Sequence, residues 1–261
     1  MTSLKSRILA FLANLGLKLM SEDSKITYMI LNCKPTTLSE IVITPIVKLF
    51  INKFNKKLQN TKKYGEIYKG NYKNVPISIV PITVGAPAAA ITMEALNRTK
   101  AKYILKVDFC GGLTEDIKIG DIIIANKAIC GDGTSPHYQS DIKTIEGDIS
   151  LLNSLKSYFD EINFKYKVGP IYTTDALFRE TEDLLNKARE LGAISIDMET
   201  SIMYLLGKLY NKHVISVNIV SDKPNPEKKF DFNITPNLID NIEKLTKIIL
   251  EFCATKLSKS K

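Results

Sequence analysis

Along nearly the whole chain, short runs of apolar and β-branched residues alternate with longer stretches of helical periodicity. Strands that pair in parallel must be joined by a crossover, usually a helix, so this alternation predicts an α/β fold. The strand-like runs are residues 26–31, 77–84, 103–109, 121–128, 168–172, 193–196 and 214–221. Helical spacing fits residues 38–54, 87–98, 150–159, 180–191, 198–210 and 236–253. No internal repeat, low-complexity tract or Pro/Gly-rich linker divides the 261 residues. Because α/β units often run to about 250 residues as one domain, residues 26–261 read as a single domain. An amphipathic helix and extension precede it over residues 1–25.

Several partners are excluded at this level. Lys5 and Arg7 followed by the apolar run 8–17 imitate a signal peptide, but no small-x-small cleavage pattern follows. Leu4, Ile8, Phe11, Leu12, Leu15 and Leu19 share one helical stripe, which predicts a helix packed on the body or on a partner. No run approaches the roughly 18 apolar residues of a membrane span, so no membrane is expected. The 36 basic against 28 acidic residues give a net charge of +8, yet the lysines are dispersed. The densest cluster, Lys53, Lys56, Lys57, Lys62 and Lys63, lacks interleaved aromatics for base stacking, so no nucleic acid is expected either. Cys33, Cys110, Cys130 and Cys253 show no disulfide-scaffold or metal-ligand spacing, which points to a reduced, cytoplasmic protein without a metal site.

The expected strand ends carry the unusual residues. They are Val84-Gly85-Ala86-Pro87, Asp108-Phe109-Cys110-Gly111-Gly112, Asp197-Met198-Glu199 and Ser221-Asp222. Ligands of α/β sheets bind in the crevice beyond the carboxyl ends of the strands, so these segments are the candidate site. With no G-x-G-x-x-G or P-loop pattern, a dinucleotide or nucleoside triphosphate has no motif to hold it. An acidic side chain at a strand-to-helix turn, here Glu199, suits two hydrogen bonds from vicinal hydroxyls such as a ribose presents. Asp197 and Glu199 equally suit the positive N-terminus of the following helix, and the residues alone leave both readings open.

Six stretches, in order, resemble the nucleoside phosphorylase superfamily of purine nucleoside phosphorylases, uridine phosphorylases and methylthioadenosine/adenosylhomocysteine nucleosidases. They are VGAPAAAITMEAL (84–96), LKVDFCGGL (105–113) with IKIGDIIIA (117–125), GTSPHY (133–138), YTTDALF (172–178), IDMET (196–200) and IVSDKP (219–224). The resemblance implies a mixed central sheet flanked by helices, and a homo-oligomer, commonly dimers assembled into a hexamer. It implies a nucleoside substrate, with phosphate as co-substrate and no cofactor. Glu199 would hold the ribose hydroxyls with Met198 under the sugar and Asp197 beside them, where the family usually reads Glu-Met-Glu. Phe178 and Leu177 would lie against the base, with Ser221, Cys110 and Gly111 near it. Asp222 would act as general acid at purine N7, although an Asp before Pro224 also suits a turn. The Ser221-Asp222 pair is purine-like, whereas GTSPHY is similar to a uridine phosphorylase segment. His137 within it would approach the 5′ end of the substrate, and His213 reads as structural.

Phosphate binding is where the chain departs from the family. A phosphate dianion is best clamped by bidentate arginines. The family supplies one from a Gly-Asp-Pro-x-Arg loop after the first strand, one from a neighbouring subunit and one from a central strand end. Here the first loop is expected at Cys33-Lys34-Pro35-Thr36-Thr37, the neighbour's residue near Lys62 or Lys63, and Lys106 stands at the central strand. Asp108 and Phe109 replace small glycine and hydroxyl residues, and no arginine lies between Arg7 and Arg98. At an effective dielectric of ~20, two like charges about 4 Å apart repel by ~4 kcal/mol, enough to offset one lysine contact. The sequence therefore predicts a purine nucleoside phosphorylase-like enzyme cleaving an N-glycosidic bond. Lys34, Lys63, Lys106, Asp108 and Phe109 mark an altered phosphate site. A phosphate-independent nucleosidase, a uridine phosphorylase-like enzyme and a nucleoside-binding protein without catalysis are the alternatives. The nucleosidases' water-activating Glu has no counterpart in the expected first loop, the nearest acid being Glu40 inside the predicted helix.

Overall fold

The computed structural model describes residues 3–225, 227 and 234–258. The chain begins with two helices capped by serine. Ser3 accepts the Ser6 N–H at the head of α1 (Leu4–Leu19), and Ser21 accepts the Ser24 N–H at the head of α2 (Glu22–Leu31). None of α1 is buried, and Ile8, Phe11, Leu12 and Leu15 stay exposed, so its apolar stripe does not pack on the body of the chain. Residues 26–31, expected as the first strand, lie in α2 instead. The Ser21 cap, with Glu22 and Asp23 in the positive first turn and Asn32 closing the helix at φ 54, outweighs the β-branched Ile26 and Thr27.

The first strand is β1 (Ile41–Thr44), which falls inside the predicted helix 38–54. All four of its residues are buried, because β1 runs parallel between two neighbours, and such strands read as continuous apolar runs without alternation. Pro45 then breaks the chain before α3 (Lys48–Lys57). An antiparallel meander follows, β2 (Gln59–Tyr64), β3 (Ile67–Tyr72) and β4 (Val75–Ile79), the first two too polar to be read as strands from sequence.

The remaining elements follow the predicted alternation closely. They are α4 (Ala86–Asn97), β5 (Tyr103–Gly112), β6 (Ile122–Cys130), the short α5 (Ser135–Tyr138), β7 (Thr144–Glu146), α6 (Ile149–Glu161) and β8 (Lys167–Thr173). After them come α7 (Glu182–Glu190), β9 (Ser195–Asp197), α8 (Thr200–Leu209), β10 (His213–Asp222) and α9 (Pro236–Phe252). The strands form one mixed, ten-stranded sheet ordered β10-β6-β8-β9-β5-β1-β4-β3-β2, with β7 on β6. A further β10–β5 pairing curls β5, β10, β6, β8 and β9 into a closed ring. The core lies between this sheet and its helices, and α8 is buried along almost its whole length. Ring closure gathers the carboxyl ends of β5, β8, β9 and β10 around one opening.

Candidate active site

That opening is a cavity of about 460 Å³, within the range of small-molecule sites. It is lined by the segment after β1, the carboxyl ends of β5, β9 and β10, and the turn that follows β8. Of the residues expected to bind substrate, Asp108, Phe109, Cys110, Gly111, Leu177, Phe178, Asp197, Met198, Glu199, Ser221 and Asp222 all line it. Three segments far apart in sequence, around 108, 198 and 222, therefore converge as expected.

Beneath the cavity lies a charged cluster. Lys106 is fully buried on β5, and its Nζ lies 2.9 Å from Asp197 Oδ2, 3.1 Å from Asn218 Oδ1 and 3.5 Å from Glu199 Oε2. Burial alone would lower its pKa, but Asp197, Glu199 and Asp108 more than reverse this, so Lys106 stays charged. Asp197 is largely committed to the protein. Besides Lys106 it accepts the Thr173 hydroxyl at 2.8 Å, the Thr200 N–H at 3.1 Å and the Thr200 hydroxyl. Glu199 is less engaged, accepting the Gly85 N–H at 2.9 Å on Oε1. Gly85 sits at φ +105, where a side chain would strain the backbone, so the glycine lets the entry to α4 aim its amide at Glu199. Burial pushes the Glu199 carboxyl up to about 7, with Lys106 opposing the rise.

The same cavity is lined by the expected base-binding residues. Ser221 donates to Asp222 Oδ1 at 2.6 Å, which orients that carboxylate. A Cβ on Gly111 would come within 2.8 Å of Pro224 Cγ, so the glycine allows the segment after β10 to close over β5. Cys110 is buried, and burial raises its pKa, leaving a neutral thiol. Leu177 and Phe178 line the cavity as well, Phe178 being 69% exposed. Glu180 also lines the cavity, and burial together with the Asp222 charge pushes it up to about 7. It was missed because nothing in the run Arg179-Glu180-Thr181-Glu182-Asp183 separates it from its surface neighbours.

The expected phosphate residues divide differently. Cys33 to Thr37 follow a helix, not a strand, and exposed Lys34 does not line the cavity. The loop that does follow β1 is Pro45-Ile46-Val47, where Ile46 and Val47 line the cavity and neither an arginine nor an acid is present. Lys63 is exposed on β2, 3.5 Å from Glu66, and does not line the cavity of its own chain. Exposed His137, on α5, does not line it either. His213 is 2.8 Å from Asp148 and stacks on Tyr103, the structural position expected of it.

A mixed sheet curled into a ring gathers buried carboxylates around one cavity at the strand ends, the place where α/β folds bind small molecules. A sequence profile of the phosphorylase superfamily matches residues 44–254. The chain belongs to that superfamily and is an enzyme of the nucleoside phosphorylase family. It is 31% identical over 157 residues to a DeoD-type purine nucleoside phosphorylase of Brevibacillus brevis, spanning 59% of this chain and 67% of the relative. A Plasmodium knowlesi homologue of the P. falciparum PNP superposes with a TM-score of 0.75 at 23% identity, covering 88% of this chain and 93% of the other. Uridine phosphorylase from Vibrio fischeri superposes with a TM-score of 0.74 at 21% identity, covering 84% and 94%. At such identities the two solved structures establish the fold. Among the described residues no helix is long and apolar enough to cross a membrane.

Proposed function

We propose that this enzyme cleaves the N-glycosidic bond of a purine nucleoside. The observation that carries the reading is that Glu199, just past β9, and Asp222, at the end of β10, line the same cavity, one suited to the sugar and the other to the base. Glu199 is anchored by the Gly85 amide on one oxygen and keeps lone pairs for the ribose 2′ and 3′ hydroxyls. Met198 packs beneath the sugar, and Phe178 stacks on the base. Asp222, held by Ser221, delivers a proton to purine N7 as the bond to C1′ breaks. The carboxylates around the sugar stabilise the positive charge that grows on C1′ and the ring oxygen. Asp197, filled by protein donors, serves by fixing Lys106 and through it Glu199.

The name of the Brevibacillus brevis relative supports a purine over a pyrimidine base. Family membership also supports a homo-oligomer, and the exposed apolar stripe of α1 is the candidate contact. The test is release of free base from inosine, adenosine, guanosine, methylthioadenosine and uridine, followed by chromatography. Release from purine nucleosides and not from uridine is expected. Cleavage of uridine alone, or of none, overturns the reading.

A further inference from the structure

We infer that the nucleophile at this site is water, held and activated by Asp108, and that inorganic phosphate is not a co-substrate; the inference rests on the purine nucleoside reading. Asp108 lies within β5, is only 5% exposed, and lines the same cavity as Glu199 and Met198. Its Oδ1 accepts the Val47 N–H at 3.4 Å, and the Phe109 backbone also donates to the carboxylate. These contacts aim the group and leave lone pairs for a water beside the sugar.

The charge around the cavity argues against a dianion. Among the described residues its acidic and basic lining is Asp108, Glu180, Asp197, Glu199 and Asp222 against Lys223 alone. None of Arg7, Arg98, Arg179 and Arg189 lines it. Lys106, the cation expected to meet phosphate, is fully buried and does not line the cavity; its Nζ is held by Asp197, Asn218 and Glu199. The Phe109 ring, 5.0 Å from that of Phe50, puts an apolar face where the family resemblance expects a hydroxyl. A phosphate would thus exchange its hydration for like charges and hydrocarbon, whereas a neutral water gains an acceptor for its proton. Burial also pushes the Asp108 carboxyl up to about 6, near the range in which a general base works at neutral pH.

The step balances without another reactant. The water oxygen bonds to C1′ as the C1′–N9 bond breaks, one water proton passes to Asp108, and the base leaves carrying the proton from Asp222. Free ribose and free purine result, and proton transfer through solvent resets the two acids.

The full chain is incubated with inosine and with adenosine, with and without saturating inorganic phosphate, and the base and both possible sugar products are measured. Base and free ribose in equal amounts, at a rate phosphate leaves unchanged, are expected. Asp108→Asn is expected to lower kcat by about 100-fold or more, to leave nucleoside binding measured calorimetrically in place, and to remove the acidic limb of the pH profile. Phosphate-dependent release with ribose 1-phosphate overturns the inference and leaves the N-glycosidic reading standing. Full turnover in Asp108→Asn overturns the role of Asp108. No base from any nucleoside, with or without phosphate, overturns both readings.

Discussion

Replacing Lys106 with methionine tests how the site is held together. The side chain is fully buried, and its Nζ lies 2.9 Å from Asp197 and 3.5 Å from Glu199, with the Asp108 charge also acting on it. Lys106→Met keeps most of the volume and removes the one cation of this cluster. Removing one member of a buried ion pair costs about 3–5 kcal/mol, because the charge left behind has no compensation. That is a large share of the roughly 5–15 kcal/mol that stabilises an ordinary domain. The deficit must also depend on pH. Glu199 and Asp108 already sit near 7 and 6, and losing Lys106 pushes both higher, so the variant takes up protons that the unfolded chain does not bind. Each proton held by the folded variant and not by the unfolded chain adds about 1.4 kcal/mol of stability per pH unit lowered, and the deficit shrinks by that gain less the smaller gain the parent makes as Glu199 and Asp108 titrate near 7 and 6. Urea unfolding of both proteins at these two pH values measures the deficit directly. A deficit below about 1 kcal/mol at pH 8, or one that does not shrink at pH 6, refutes the ion-cluster reasoning.

Asp222→Asn is expected to lower kcat for purine nucleosides by about 100-fold or more with little change in KM, as steady-state kinetics will record; full turnover sinks the general-acid role. In the unmodified protein Asp108 is raised from 3.8 to about 6 by burial, so the folded state binds more protons than the unfolded one between these values. Its contribution is most favourable below pH ~4 and is lost as pH rises through about 6, amounting to roughly 3 kcal/mol. Stability measured across this window should flatten by about that amount in Asp108→Asn. Static light scattering should find an oligomer that Leu12→Glu, on the exposed stripe of α1, weakens; a monomer in the unmodified protein removes the expected subunit contact.

The strands β5, β6, β8 and β10 and the helices between them were legible in the sequence because apolar periodicity is a local property that survives burial. The site motifs around 108, 198 and 222 were legible for the same reason, each being a short segment at the end of such a run. The beginning of the chain misled, since Ile41-Val42-Ile43-Thr44 carries no alternation to mark a strand buried on both faces, while Ser21 caps a helix over residues rich in β-branched side chains. That displacement put the expected loop after the first strand at Cys33 to Thr37, whereas the segment that follows β1 is Pro45-Ile46-Val47. The sequence by itself determined the α/β alternation, the family motifs and the lack of arginine where a phosphate clamp would need it. Only the tertiary structure decided what the remaining charges do. The pairing of Gly111 with Ile196 carries Lys106 to Asp197 across a separation of 91 residues, burying the lysine under the cavity and leaving Asp108 to face into it. Whether a lysine meets a ligand or a neighbouring carboxylate depends on distances set by strand register, and no local pattern in the chain encodes them.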